Sequence, residues 1–209
     1  MAINKRRIGL LGGSFNPAHG GHRHISLIAL KRLGLDELWW LVSPQNPLKS
    51  EAGMAPLRER MARAARTARH PRIRVTDIES RMGTQYTADT LAALVDRFPD
   101  VQFVWLMGAD NLQQIHRWDR WEQIFSLVPI AVFGRPAYSL VALRSKAAQR
   151  YRSRRVPVEE ARALGARHTP AWLFLPGVLH YGSATAIRRR RASAERLARR
   201  SLKPATPLS

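Results

Sequence analysis

Six short apolar runs recur along the chain, separated by segments of helical period. Residues 7–12 contain Ile8, Leu10 and Leu11; residues 37–42 contain Leu38, Trp39, Trp40, Leu41 and Val42. Ile73 and Val75 alternate in residues 73–78, with Ile78 at the end of the run, and 101–107, 130–134 and 172–175 complete the set. Near-continuous apolar runs of this length predict strands buried on both faces. Between the first two, Ile25, Ile28, Ala29 and Leu33 recur at helical spacing and predict a helix over 20–33, stopped near Gly34. Pro56 opens a predicted helix to about Arg69, and Thr87 or its neighbour caps another to about Phe98. Short helices fit 111–116 and 120–126, a helical stretch broken at Pro157 fits 139–167, and a final helix begins near 184. Strands alternating with helices predict an α/β fold, a Rossmann-like, doubly wound, mainly parallel sheet with helices on both faces. No internal repeat interrupts the pattern.

The turn after the first run is the most informative stretch. Residues 12–22 read Gly-Gly-Ser-Phe-Asn-Pro-Ala-His-Gly-Gly-His. Gly12 and Gly13 predict a close approach between backbone and ligand. The helix start that follows presents unpaired N–H groups and a positive dipole end, which suit phosphate. His19 and His22, three residues apart, fall on one face of that helix start. The spacing matches neither the dinucleotide nor the P-loop fingerprint. With no cysteine in the chain and no third ligand nearby in sequence, the two histidines do not read as a zinc site.

The turn resembles the Gly-Gly-x-Phe-Asp-Pro-x-His-x-Gly-His signature of the nucleotidylyltransferase superfamily, with Asn16 in place of the usual Asp. A second stretch, Gly182-Ser183-Ala184-Thr185-Ala186-Ile187-Arg188, resembles the superfamily's Ile-Ser-x-Thr-x-Ile-Arg segment, with Gly182 where Ile is usual. Three intervening stretches resemble the bacterial nicotinate-nucleotide adenylyltransferases: Ser43 to Lys49, Tyr86-Thr87-Ala88-Asp89-Thr90-Leu91, and Gly108-Ala109-Asp110 with Trp118 just beyond. The resemblance runs from about residue 7 to 135 and resumes over about 172 to 191. Each of these motifs follows a predicted strand, where open α/β sheets bind their ligands.

The resemblance implies transfer of the adenylyl group of ATP to nicotinate mononucleotide, with nicotinate adenine dinucleotide and pyrophosphate as products. It implies His19, His22 and Arg188 as catalytic groups. It places ATP against Gly12, Gly13, Ser14, Phe15, Gly108, Asp110, Ser183, Thr185, Ile187 and Arg188, as well as the two histidines. It places nicotinate mononucleotide against Ser14, Lys49, Thr87 and Trp118, with Trp118 stacking on the pyridine ring and Thr87 meeting its carboxylate. Neutral donors with no carboxylate nearby would favour the acid over the amide. Trp39, Trp40 and Trp121 read as core instead. Magnesium is expected to arrive with ATP, carried by the phosphates and not by a protein carboxylate cage. The expected domain is a single one over 1–192, followed by a basic tail, 193–209, open to disorder.

Charge adds one competing picture. The 209 residues carry 35 Lys+Arg against 15 Asp+Glu, a net charge of +20. Residues 135–168 hold nine basic and two acidic side chains, and residues 188–200 hold seven arginines and one Glu. A nucleic-acid-binding protein on the same scaffold is therefore an alternative, as is a sister enzyme such as a pantetheine-phosphate adenylyltransferase. No aromatic residues interleave the arginine-rich run and no nucleic-acid motif accompanies it, so the basic runs read as solvated faces. A homo-oligomer is compatible with the sequence. With no apolar run of membrane-spanning length, no signal-peptide pattern and no cysteine, the expectation is a cytoplasmic enzyme without a membrane partner.

Overall fold

Strand β1 (Arg6–Gly13) is flanked by β2 (Glu37–Val42) on one side and β4 (Val101–Gly108) on the other, both parallel to it. The computed structural model describes residues 5–44, 53–134 and 138–176. With β3 (Ile73–Thr76), β5 (Ile130–Phe133) and β6 (Trp172–Leu175) the sheet has six parallel strands in the order β3-β2-β1-β4-β5-β6. The order reverses between β1 and β4, so the loops leaving the carboxyl ends of these two strands diverge and leave a crevice.

Side chains alternate between two buried layers. On one face Leu38, Trp40 and Val42 of β2 pack with Leu11, Val104 and Leu106 against α1 (Gly20–Arg32) and α2 (Leu57–Ala68). On the other, Ile8, Leu10, Trp39, Leu41, Trp105 and Met107 pack against α4 (Thr87–Arg97), α5 (Ala109–Gln114) and α6 (Trp121–Leu127). Both faces of each central strand are thus covered, which is why these strands carry apolar residues at consecutive positions. Trp39 and Trp40 are both buried, one in each layer. Trp121 packs edge-on against Phe125 and Tyr151.

The predicted elements appear with shifted ends. Gly34 follows α1 in the left-handed conformation, the C-terminal stop expected there. Pro56 is the residue before α2, not its first residue. The third strand ends at Thr76, and Ile78 instead opens a five-residue helix, α3 (Ile78–Met82), closed by left-handed Gly83. The stretch 139–167 is not a continuous helix. It divides into α7 (Ser139–Leu143), α8 (Lys146–Arg150) and 3-10 turns at Arg152–Arg154 and Val158–Ala166. Ser145 restarts it by capping α8 through its hydroxyl, which accepts from the Ala148 N–H, and Arg155 breaks it by bridging to β6.

Gly12 is required by packing more than by ligand approach. A Cβ at this position would run into the ring of Trp105 on the neighbouring strand. Gly12→Ala is therefore expected to lower stability by about 1–3 kcal/mol through overpacking, read as a lower urea midpoint with an unchanged slope.

Candidate active site

The turn 12–22 folds the way its residues demand. Phe15 turns the chain with a φ of 46°, and its ring lies stacked on Trp40 at 5.0 Å and against His22 at 4.8 Å. Its side chain is therefore buried flooring beneath the imidazoles. The Asn16–Pro17 peptide is cis. The Asn16 amide donates to the Gly53 carbonyl at 2.9 Å and accepts from the Ala55 N–H. A carboxylate here could supply only the accepting half.

His19 and His22 start α1 as a reciprocal cap. His19 Nδ1 accepts from the Gly21 N–H at 3.1 Å, and His22 Nδ1 accepts from the His19 N–H at 3.2 Å. The ring centroids lie 3.9 Å apart. With each Nδ1 accepting from backbone, the proton of each neutral ring sits on Nε2. The cap thus fixes both the tautomer and the direction of two N–H donors. Beneath them, Ser26 Oγ donates to the His22 carbonyl and accepts from Trp40 Nε1 at 2.8 Å, tying the first helical turn to the sheet.

A cavity of about 440 Å³ opens beside this turn. Gly12, Gly13 and Ser14 line it from β1, Ser43 from the end of β2, and Trp105 from β4. Gln85, Tyr86 and Thr87 close it with the start of α4, and Arg117, Trp118 and Asp119 with the loop before α6. Tyr86 precedes α4 without capping it by a side chain, and Thr87, the first residue of that helix, lines the cavity. Trp118, half-buried, is held by its N–H bond to the Ile115 carbonyl at 2.8 Å. Arg120 pins the same loop to α4 through ion pairs with Asp89 at 2.7 Å and Asp119 at 3.0 Å.

Five expected site residues, Gly12, Gly13, Ser14, Thr87 and Trp118, therefore line one cavity at the switch point. Gly108 ends β4 and is the residue that precedes α5, so Asp110 lies within the first turn of that helix and is not its cap. Lys49, Ser183, Thr185, Ile187 and Arg188 lie outside the described residues. The cavity also corrects one expectation: it does contain carboxylates, Glu79 from α3 and Asp119. Glu79 is buried, and burial pushes its carboxyl up to about 7 while a hydrogen bond from Ser43 pulls the other way.

Arg60 was not legible as a site residue either. It is 2% exposed, and its guanidinium donates to the carbonyls of Ser14, Ser43, Pro44 and Ala55 at 2.7–2.9 Å. One signal did point to it. Arg60 shares a helical stripe with Ala64 and Ala68, the buried face of α2.

Comparison with known proteins shows the family. Residues 10–190 match the cytidylyltransferase-like family model. A probable nicotinate-nucleotide adenylyltransferase of Parvibaculum lavamentivorans is 55% identical over 184 residues, 88% of this chain and 92% of that protein. One from Methylorubrum extorquens is 54% identical over 184 residues, 88% of this chain and all of that protein. Among solved structures, Plasmodium falciparum nicotinic acid mononucleotide adenylyltransferase complexed with NaAD shares the fold. Its TM-score is 0.64 at 18% identity, over 88% of this chain and 83% of that one. With a matched family model and relatives more than half identical along nearly their whole length, the chain belongs to the cytidylyltransferase-like family and, within it, to the nicotinate-nucleotide adenylyltransferases.

Proposed function

We propose that the protein transfers the adenylyl group of ATP to nicotinate mononucleotide, releasing pyrophosphate and forming nicotinate adenine dinucleotide, a step of NAD biosynthesis. The observation that carries this reading is the cavity itself. Gly12, Gly13 and Ser14 of the glycine-rich turn line it on one side and Tyr86 and Thr87 at the start of α4 on another, with the indole of Trp118 at its wall, while the imidazoles of His19 and His22 start the helix that follows the same turn. The identity of more than half to the Parvibaculum lavamentivorans and Methylorubrum extorquens proteins supports the same substrates.

In this reading a phosphate oxygen of the mononucleotide attacks the α-phosphorus of ATP, and the bond to the β-phosphate oxygen breaks as pyrophosphate leaves. The nucleophile is already anionic, so the protein's contribution is positioning and charge neutralisation. The Nε2–H groups of His19 and His22 donate to the α- and β-phosphate oxygens, joined by backbone N–H groups of Ser14 and Phe15. Gly108 and Asp110 face the adenosine, with Asp110 accepting from ribose hydroxyls. Ser183, Thr185, Ile187 and Arg188 complete the triphosphate side, and Lys49 meets the mononucleotide phosphate.

The mononucleotide occupies the cavity. Its pyridine ring stacks on Trp118, and its carboxylate meets Thr87 and the first N–H groups of α4, whose dipole favours an anion. Magnesium would be carried by the ATP phosphates; among the described residues no group of three or more His, Cys, Asp or Glu converges to hold an ion. No helix among the described residues is long and apolar enough to cross a membrane. The family match ends at residue 190, which supports a catalytic unit over 1–192 with the basic tail outside it.

The direct test offers ATP with nicotinate mononucleotide, nicotinamide mononucleotide and phosphopantetheine in parallel and follows pyrophosphate. Release should be fastest with nicotinate mononucleotide; release with phosphopantetheine alone would overturn the assignment. Trp118→Ala is expected to raise KM for the mononucleotide about tenfold, ~1.4 kcal/mol of lost stacking and burial, while KM for ATP moves less than about twofold. Equal effects on both substrates would remove the stacking role.

A further inference from the structure

We propose that Glu79 is a specificity-determining residue of the mononucleotide cavity, a neutral carboxyl group that donates a hydrogen bond to the carboxylate of the pyridine ring and so selects acid over amide. This inference rests on the reaction proposed above and extends it to a residue with no part in that mechanism.

Three observations carry it. Glu79 is only 7% exposed, yet it lines the cavity. Its Oε2 is buried without a hydrogen-bond partner, although nearly all buried polar atoms have one. Glu79 is one of the residues of the cavity wall, so the bond this oxygen lacks can be supplied by a group bound beside it. Trp105, another residue of the cavity wall, likewise has a buried indole N–H without a partner. Glu79 also belongs to the same small structure as the anion-favouring helix start. Its carbonyl accepts from the Thr84 N–H at 3.0 Å, and Thr84 Oγ1 meets Thr90 Oγ1 of α4 at 2.8 Å.

Charge decides between a donor and an acceptor. A buried carboxylate that stays ionised is held by a cation or by several N–H donors. Glu79 has instead the hydroxyl of Ser43, and no cation among the described residues bonds it. On its own element, Arg81 is tied to Asp77 at 2.9 Å and to Thr76 Oγ1 at 2.7 Å. On neighbouring β3, Arg74 lies over the Trp39 ring. Asp89 of α4 and Asp119 are both committed to Arg120, whose guanidinium also covers the Tyr86 ring. Arg117, the remaining cation at the cavity wall among the described residues, is exposed. Desolvation therefore dominates, and the carboxyl titrates near 7. Protonated, it supplies an O–H to an anion; ionised, it repels the anion and accepts from an amide NH2.

The test is the ratio of KM for nicotinate mononucleotide to KM for nicotinamide mononucleotide, measured at saturating ATP. An inhibition constant serves where the amide turns over too slowly. The ratio cancels titration of the shared ribose phosphate. One group titrating near 7 should raise it about tenfold between about pH 6 and about pH 8 in the wild type. In Glu79→Gln, whose amide still donates but does not titrate, the ratio should stay flat and low. Calorimetry should show the wild type taking up a proton on binding nicotinate mononucleotide near pH 8, and Glu79→Gln taking up none. A ratio that is flat in the wild type, or that falls with pH because Glu79 accepts from a ribose hydroxyl, overturns the proposal. So does an unaltered slope in Glu79→Gln. If nicotinate mononucleotide is adenylylated while the ratio stays flat, only the role of Glu79 falls; if neither mononucleotide supports pyrophosphate release, the reaction assignment falls with it.

Discussion

Replacing His22 with alanine is expected to lower kcat by about a hundredfold to a thousandfold, the typical effect of deleting one preorganised donor from a transition-state site. The expectation rests on direction as much as on chemistry. His22 Nδ1 is committed to the His19 N–H, which orients the ring and puts the proton of the neutral imidazole on Nε2. A donor fixed in this way needs no reorganisation when charge moves onto the departing phosphate oxygens, whereas water would have to reorient. The same variant removes one cap bond from α1, which costs about 1 kcal/mol and lowers the melting temperature by about 2–4 °C. The two effects separate cleanly: circular dichroism should show a folded protein at assay temperature while pyrophosphate release is nearly lost. His24→Ala, two residues on in the same helix, should stay within about twofold of wild-type turnover while testing the same helix's stability. Undiminished turnover in His22→Ala would remove the paired imidazoles from the mechanism.

The sheet could be read from the chain because a doubly covered parallel strand needs apolar residues on both faces. Leu38 to Val42 illustrates this: consecutive apolar residues alternate between two buried layers. Period alone would not mark such a run as strand or helix, but its length and its Gly/Pro-rich borders do. α3 escaped because five residues cannot display a 3.6-residue period, and Ile78 lies close enough behind Ile73 and Val75 to read as the last apolar residue of the strand. The stretch 139–167 looked helical because Ala, Leu, Arg and Lys are good helix formers; tertiary contacts with β6 override that propensity. In the site, loop glycines and histidines announced themselves through motif and position. Glu79 and Arg60 did not, since a charged residue in a helix is ordinarily a solvated one. The helical stripe with Ala64 and Ala68 hints that Arg60 is buried, but the role of each appears only when the fold brings it to the carboxyl end of the sheet.

Arg60 carries the second large prediction. Arg60→Met is expected to destabilise the fold by about 3–5 kcal/mol, as breaking a buried charged network does, although methionine is apolar and of comparable length. The reason is what it leaves behind. The guanidinium serves carbonyls from three separate segments: Ser14 after β1, Ser43 and Pro44 after β2, and Ala55 before α2. Their dipoles, not a carboxylate, balance its charge, and without it four acceptors lose their donor. Desolvation opposes the native arrangement, but a planar fork with several fixed donors recovers that through multiple charge-assisted bonds. Arg60→Lys retains the charge and loses the fork, so it should regain less than half of the lost stability, as read from urea midpoints. Kinetics should follow the same order. Ser14 and Ser43 border the cavity, and loosening their loops should raise KM for the mononucleotide and lower kcat together, even well below the melting temperature. If Arg60→Lys matched the wild type in both stability and KM, charge alone would suffice and the bonding of three loops by one planar side chain would not be what shapes this wall of the site.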